Sequence, residues 1–216
     1  MSIATLILGA SGTGKTASLR NLDPAQCLLI QPVRKPLPFP AKGWAEIRAK
    51  GDGNNIYVTD DAAHIVSAMS KTTREIVIVD DWQYVLSFMF MRMRNLKGYD
   101  KFTDIGGAGF DIAKAASELG PNKRVYILAH SQTDDFGFTR IKTLGRMLDE
   151  KICVEGLFTT VLRTKVDQAK YCFLTHNSGA DTVKSPMGLF ESDEIENDLA
   201  LVDTKICQFY EIPQHV

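Results

Sequence analysis

Short, wholly apolar segments alternate with longer amphipathic ones along the first 130 residues. The apolar segments, which are aliphatic and bounded by polar residues, glycine or proline, lie at 3–8, 27–30, 56–58, 76–79 and 125–129. This pattern is typical of strands that are buried on both faces of a parallel sheet. The amphipathic segments predict helices at 15–21, 61–70, 82–95 and 110–119. Alternation of strands and helices predicts an α/β fold, with a mostly parallel central sheet flanked by helices.

The pattern changes after residue 140. The sequence there predicts a helix at 144–151, a β-hairpin formed by 158–165 and 171–175 around a turn at 166–170, and a terminal helix at 193–210. Acidic residues in the first turn of the terminal helix suit the helix dipole. We therefore expect a single domain over residues 1–216, in which residues 141–216 extend the sheet of a core at 1–140.

Residues 9–16 fit the phosphate-loop pattern GxxxxGK[ST], between the first predicted strand and the first predicted helix. Glycines let consecutive backbone N–H groups turn inward around a phosphate, and the helix N-terminus adds a positive dipole. Lys15 is expected to reach the β- and γ-phosphates of a nucleotide, and the Thr16 hydroxyl to ligate Mg²⁺. The predicted nucleotide-binding residues are Gly9, Ala10, Ser11, Gly12, Thr13, Gly14, Lys15 and Thr16.

Two acids, Asp80 and Asp81, follow the aliphatic strand predicted at 76–79. In a phosphate-loop fold this is the Walker B arrangement, in which a carboxylate reaches the sheet edge beside the loop. Asp80 is predicted to hold Mg²⁺, through water, and Asp81 to polarise the attacking water. Asp is also a good helix N-cap, so the alternative is that these residues only cap the following helix.

His130 follows the strand predicted at 125–129. Ligands of open α/β sheets bind at such strand ends, and a polar residue there commonly reports the state of the nucleotide. A purely structural histidine is the alternative. The predicted catalytic residues are thus Lys15, Asp80, Asp81 and His130.

Composition narrows the choice of partners. The chain has 25 basic and 26 acidic residues and a net charge of −1, so a nucleic-acid site would have to be a local patch. Its four cysteines are far apart and form no CxxC pair, which favours free thiols in a reducing cytosol. No apolar run approaches 18 residues and no signal-peptide pattern opens the chain, so we expect neither membrane insertion nor secretion.

The order of these motifs resembles bacteriophage ATP-binding proteins with a RecA-like core, among which the Sak-type proteins are associated with single-strand annealing and recombination. The segments that carry the resemblance are 9–16, 35–39, 80–81, 98–104, 130–131, 147–151, 155–158 and 184–186. The resemblance implies an ATPase that uses ATP and Mg²⁺, forms a homo-oligomer and acts in phage DNA recombination or replication. It also implies the cytoplasm of an infected bacterium, and single-stranded DNA or a single-strand-binding protein as partner.

One feature departs from the RecA pattern. RecA-type ATPases usually end the strand after the phosphate-loop helix in a glutamate that activates water, whereas residues 28–32 run Leu-Leu-Ile-Gln-Pro. Either Asp81 takes that role or hydrolysis is slow.

The resemblance also points to residues 97–109 and 131–142 as DNA-facing loops. Aromatic side chains that stack on bases, beside cations that meet phosphates, are what single-strand binding requires. The candidates are Lys97, Tyr99, Lys101, Phe102, Phe136, Phe138, Arg140 and Lys142. Four nearby aspartates dilute this positive charge, so mobile surface loops without a DNA role are the alternative.

Lys184 and Arg163 are candidates for a cation that a neighbouring subunit presents to the γ-phosphate, with ordinary surface charges as the alternative. Two other functions compete with the ATPase. A small-molecule or nucleotide kinase would need an arginine-rich lid, and the segment 137–146 offers only Arg140 and Arg146. A nucleotide-gated scaffold with little hydrolysis is favoured by the missing glutamate.

Overall fold

The computed structural model describes residues 1–144 and 151–213. Within them, the strands are β1 (Ile3–Gly9), β2 (Cys27–Gln31), β3 (Ile56–Val58), β4 (Ile76–Asp80), β5 (Arg124–Thr133), β6 (Thr139–Ile141), β7 (Thr160–Asp167), β8 (Lys170–Leu174) and β9 (Glu194–Glu196). The α-helices are α1 (Ala62–Lys71), α2 (Gln83–Arg92), α3 (Asp100–Glu118) and α4 (Leu199–Phe209). The helix predicted at 144–151 lies almost wholly outside the described residues.

The strands join in the order β3-β2-β4-β5-β1-β7-β8-β9, and β6 pairs with β5. All pairings from β3 to β7 are parallel, whereas β8, β9 and β6 are antiparallel to their neighbours. The predicted α/β class, with a mostly parallel sheet, flanking helices and a C-terminal hairpin and helix, is confirmed. Because β5 separates β1 from β4, the phosphate loop and the two acids end up on either side of one strand.

Residues that alternate along the central strands pack into two separate cores. Val77 and Val79 of β4 face a cluster that includes residues of α1, α2 and α3. Ile76 and Ile78, one position out of phase, face a second cluster that includes α4. Burial of both faces explains why these strands are apolar throughout rather than alternating.

Helix α3 starts ten residues earlier than the sequence predicted, and most of the predicted glycine-rich loop at 97–109 is helical. A Cβ atom at Gly109 would lie 2.8 Å from the Trp82 ring and 2.7 Å from Leu86 of α2. The Trp82 indole also donates a hydrogen bond of 3.1 Å to the Gly109 carbonyl. The glycine therefore serves close packing of α2 against α3, and this packing outweighs its low helix propensity.

The segment after the phosphate loop was predicted as a helix at 15–21 and forms a short 3₁₀ helix at Thr16–Asn21. The Ser18 hydroxyl donates to the Lys15 carbonyl at 2.6 Å, and Pro24 follows soon after. Serine side chains that bond to nearby backbone compete with α-helical pairing, and proline cannot continue a helix. A longer helix is thereby prevented.

The C-terminal segments close one side of the sheet. β7 pairs with β1, and the β7–β8 turn places Gln168 and Ala169 at positive φ. The sequence prediction missed β9, and the terminal helix begins at Leu199, after Asp198 as its N-cap. The Asp203 carboxylate of α4 binds the buried Arg124 guanidinium of β5 at 3.1 Å, which ties this helix to the sheet.

Candidate nucleotide-binding site

The phosphate loop leaves the end of β1 and leads directly into the 3₁₀ helix at Thr16. Gly12 and Gly14 have φ values of 78° and 97°, which non-glycine residues rarely adopt. Gly9 is needed for a different reason, because a Cβ atom there would lie 1.9 Å from the Thr164 hydroxyl of β7. The glycines of the motif are thus required by backbone shape at two positions and by close packing at the third.

Lys15 folds back over this loop. Its Nζ atom donates to the carbonyls of Gly9 and Ala10 at 2.9 and 3.0 Å, and the side chain is buried. Burial lowers the pKa of Lys15, although the nearby carboxylates of Asp81 and Asp80 oppose that change. The ammonium therefore lies at the phosphate loop, and its contact with nucleotide phosphates stays a prediction.

Asp80 meets Thr16 beside the loop. The Thr16 hydroxyl lies 2.9 and 3.1 Å from the two carboxylate oxygens of Asp80. Burial, together with the negative charge of Asp81, raises the pKa of Asp80 to about 6, while Lys35, the Thr16 hydrogen bond and Lys15 act in the opposite direction. The structure therefore brings the two predicted metal ligands into direct contact.

A hydroxyl and a carboxylate fit Mg²⁺, which prefers oxygen ligands and usually takes only one or two from protein carboxylates. Within residues 1–144 and 151–213, no group of three or more His, Cys, Asp and Glu side chains could hold a metal ion. Thr16 and Asp80 would thus supply the protein part of a coordination shell that nucleotide oxygens and water complete.

Asp81 lies at the centre of a charged cluster. Its carboxylate oxygens lie 3.0 Å from Lys35 Nζ, 3.6 Å from His130 Nε2 and 4.0 Å from Lys15 Nζ. Helix α2 has Trp82 as its N-cap and no capping side chain, so the capping alternative for Asp80 and Asp81 is wrong. Both carboxylates point into the site instead.

His130 lies within β5, directly opposite Gly9 in the parallel register. Its imidazole is half-buried and packs edge-on against the Tyr84 ring, with 6.1 Å between ring centres. Burial and the positive charge of Lys15 lower the pKa of His130, whereas Asp81 opposes them. The strand pairing thus brings His130 to Asp81 at the phosphate loop.

Lys35 belongs to this cluster although sequence reasoning gave it no role. It lies in the segment 32–40, which contains four prolines. No spacing rule connects Lys35 to the two acids, and only the folded chain shows the contact.

A cleft of about 390 Å³ lies between the phosphate loop and the charged cluster. Its lining residues are Ser11, Gly12, Gly14, Lys15, Thr16, Ala17, Lys35, Pro36, Pro38, Asp81, His130 and Tyr171.

The two candidates for a cation acting across subunits lie on the C-terminal side. Arg163 of β7 binds Asp181 of the same chain at 3.1 Å. The backbone of Lys184 forms an isolated antiparallel bridge with Val161 of β7. Both roles remain predictions, and the Arg163 guanidinium would have to leave an existing ion pair to act on a neighbour.

The candidate DNA contacts separate into two groups. Tyr99 and Phe136 expose 88% and 98% of their surface, and Lys97, Lys142 and Phe138 are also exposed. Phe102 instead packs on Phe90 with ring centres 5.9 Å apart, and Lys101 lies over both rings. Arg140 is half-buried. Phe102 and Lys101 are therefore engaged within the α2–α3 pair, whereas Tyr99 and Phe136 are the most exposed of the aromatic candidates and Phe138 is exposed to a smaller extent.

Comparisons with known proteins give distant structural likenesses. No protein-family model matches the chain, and no curated protein matches it. A KaiC-like protein of Pyrococcus horikoshii is 12% identical with a TM-score of 0.46, over 80% of this chain and 78% of that one. The P4 protein of bacteriophage phi6, solved with ADP, is 16% identical with a TM-score of 0.37, over 83% of this chain and 56% of that one. Both similarities are low, so function has to be inferred from the site residues.

None of the helices in the described part of the chain is long and apolar enough to cross a membrane.

Proposed function

We propose that this chain binds ATP with Mg²⁺ at residues 9–16 and hydrolyses it. The observation that carries the proposal is the contact between Thr16 and Asp80. It joins the phosphate loop, which follows β1, to the end of β4, and β5 lies between these two strands. This contact supports the proposal because phosphoryl transfer uses a phosphate-loop hydroxyl and a strand-end carboxylate to hold Mg²⁺ beside the nucleotide.

Each side chain of the site has a role in this proposal. Lys15 contacts the β- and γ-phosphates, and Thr16 with Asp80 holds Mg²⁺, which would neutralise phosphate charge when bound. Asp81 accepts a proton from the attacking water, while His130 responds to the γ-phosphate. The water oxygen bonds to the γ-phosphorus, and the bond from that phosphorus to the β–γ bridging oxygen breaks, so that ADP leaves with the electron pair.

We further propose that this ATPase acts in bacteriophage DNA recombination or replication, in the cytoplasm of an infected bacterium and as a homo-oligomer. The resemblance in motif order to phage ATP-binding proteins supports this role. The exposed rings of Tyr99 and Phe136 support single-stranded DNA, or a protein that binds it, as the partner.

A nucleotide-gated scaffold with little hydrolysis is a second candidate. The observation that favours it is that β2 ends in the buried Gln31 instead of an acid. The kinase alternative has no comparable support, because a kinase lid needs several arginines and the segment 137–146 has only Arg140 and Arg146.

Phosphate release from MgATP, measured with and without single-stranded DNA, separates these candidates. The ATPase proposal expects turnover that DNA stimulates several-fold and that Asp81→Asn lowers by about 100-fold, the usual effect of losing a general base. Asp111→Asn, at an exposed acid of α3 outside both candidate DNA-facing segments, is the matched control and should leave turnover unchanged. Tight MgATP binding by the wild type without turnover would instead establish the scaffold.

A further inference from the structure

Lys35 reaches the nucleotide site from outside the two motifs that define it. It comes from the segment that follows β2, and its Nζ atom lies 3.0 Å from Asp81 Oδ2 and 3.8 Å from Asp80 Oδ2. Pro36 and Pro38 line the same cleft. Because proline fixes one backbone dihedral angle, this segment holds the lysine over the site at a lower entropic cost than a flexible loop would.

The two lysines of the cleft differ in what they bind. Lys15 donates to two carbonyls of the phosphate loop and exposes 6% of its side chain. Lys35 binds the carboxylates of Asp81 and Asp80 and exposes 34% of its side chain. The first lysine is therefore fixed by the loop carbonyls, whereas the second is held by a hydrogen bond and ion pairs to carboxylates and is exposed enough to change partner.

A bound triphosphate would alter the electrostatic balance around Lys35. Asp80 and Asp81 are its partners, and the proposed function directs Asp80 to Mg²⁺ and Asp81 to the attacking water. The anionic group that would then lie nearest is the terminal phosphate, because Lys15 and Thr16 define the direction from which the nucleotide enters. A diphosphate has no group at that position.

We infer that Lys35 is a cation supplied by the chain itself that recognises the γ-phosphate of a bound nucleoside triphosphate, passing from Asp81 to a γ-phosphoryl oxygen. This inference rests on the proposed function. It makes Lys35 a catalytic residue that discriminates a triphosphate from a diphosphate and stabilises the charge that develops during transfer of the phosphoryl group. No cation from a neighbouring subunit is then required for that contact.

The test compares Lys35→Met with the wild type in MgATP and MgADP binding and in phosphate release. Methionine keeps the length of the aliphatic chain but removes the charge. We expect ATP affinity to fall at least tenfold, turnover to fall at least 100-fold, and ADP affinity to stay within twofold. Retained ADP binding shows that the variant is folded. Lys42→Met removes an exposed lysine just beyond the same segment and should match the wild type throughout.

Three outcomes overturn the inference. Equal loss of ATP and ADP affinity would make Lys35 a general structural or electrostatic contact. Unchanged ATP affinity and turnover would make its ion pairs incidental. A gain in MgATP affinity would show that Lys35 merely occupies the metal position until Mg²⁺ displaces it. A wild-type protein that binds neither ATP nor ADP would contradict the proposed function itself. That result differs from the three outcomes above, because each of them requires that the wild type binds nucleotide.

Discussion

The Thr16 hydroxyl lies 2.9 Å from one carboxylate oxygen of Asp80 and 3.1 Å from the other. These residues are 64 positions apart, and neither motif specifies the contact alone. It arises because β1 and β4 both pair in parallel with β5, so their C-terminal ends meet at one edge of the sheet. The phosphate loop and the C-terminal end of β4 thereby form one site.

The Thr16 contact predicts how two substitutions differ. Thr16→Val keeps the shape of the side chain but removes the hydroxyl, so affinity for MgATP should fall at least tenfold, or about 1.4 kcal/mol. Thr16→Ser keeps the hydroxyl and should remain within a few-fold of the wild type. Calorimetric titration with MgATP and with ATP in EDTA checks this, since the difference should disappear without the metal. Equal losses with and without Mg²⁺ would assign Thr16 to phosphate binding alone.

Because the pKa of Asp80 is shifted, we expect the stability of the metal-free protein to depend on pH. Its pKa is about 6 in the folded chain, above its ordinary value of 3.8, because burial disfavours the charged form. Between these values the unfolded chain has released a proton that the folded chain retains, so the free energy of unfolding falls as pH rises from about 4 to 6. The loss is on the order of 3 kcal/mol.

Asp80→Asn removes this titration. In EDTA the variant should gain stability relative to the wild type as pH rises from 4.5 to 7.5. In a separate measurement without EDTA, MgATP should no longer stabilise the variant. Urea unfolding at the two pH values measures the difference. A wild type and variant with parallel pH profiles would show that Asp80 ionises in the folded chain as it does in water.

Much of the fold could be predicted from the sequence, because buried parallel strands carry an unbroken apolar pattern. The strands near residues 3–8, 56–58 and 76–79 were found close to their predicted bounds. The start of α3 was not predicted, since Gly106, Gly107 and Gly109 suggest a loop when their packing is unknown. Only the contact of Gly109 with Trp82 explains why a helix continues there.

A side chain at position 9 is expected to clash with Thr164, and a second substitution at Thr164 should relieve that clash. Gly9→Ala would place a methyl group 1.9 Å from the Thr164 hydroxyl, and overpacking of this kind costs about 1–3 kcal/mol. Thr164→Ala in the same chain removes the nearest atom, so the double variant should lose less stability than the sum of the two single variants.

Denaturant unfolding of the four proteins measures that coupling. Gly107→Ala is the matched control, because nothing lies within 4 Å of a Cβ atom there and helix propensity favours alanine. Strictly additive effects of Gly9→Ala and Thr164→Ala would contradict the packing account of the phosphate loop.

The aromatic side chains predict which substitutions affect DNA binding. Tyr99→Ala and Phe136→Ala should each weaken single-stranded DNA binding about fivefold or more, because stacking on one base contributes about 1–3 kcal/mol. Phe102→Ala should lower the melting temperature instead, since Phe102 packs on Phe90. Met187→Ala, at an equally exposed apolar residue, is the control.

Fluorescence anisotropy with a labelled oligonucleotide, together with thermal melting, distinguishes these effects. If Phe102→Ala weakened DNA binding at unchanged melting temperature while Tyr99→Ala and Phe136→Ala did not, the division of the two groups would be wrong.

Within the site, a motif of fixed spacing lets the sequence nominate candidate residues, whereas contacts that only the fold creates could not be predicted. Lys15, Thr16 and Asp80 belong to recognisable patterns, and the structure places Thr16 and Asp80 in contact, while their roles stay predictions. Lys35 lies 45 positions before Asp80 in a proline-rich segment, and nothing in its local sequence indicates which charge it meets. Long-range ion pairs of this kind depend on strand order, which the hydrophobic pattern does not specify.

The most direct test of the central claim is calorimetric titration of the purified chain with MgATP, using the wild type, Lys15→Ala and the exposed-lysine control Lys42→Ala. We predict saturable binding by the wild type and by Lys42→Ala, and a loss of affinity of at least 100-fold in Lys15→Ala. Binding that is equally tight in all three proteins, or absent from the wild type, would contradict nucleotide binding at the phosphate loop.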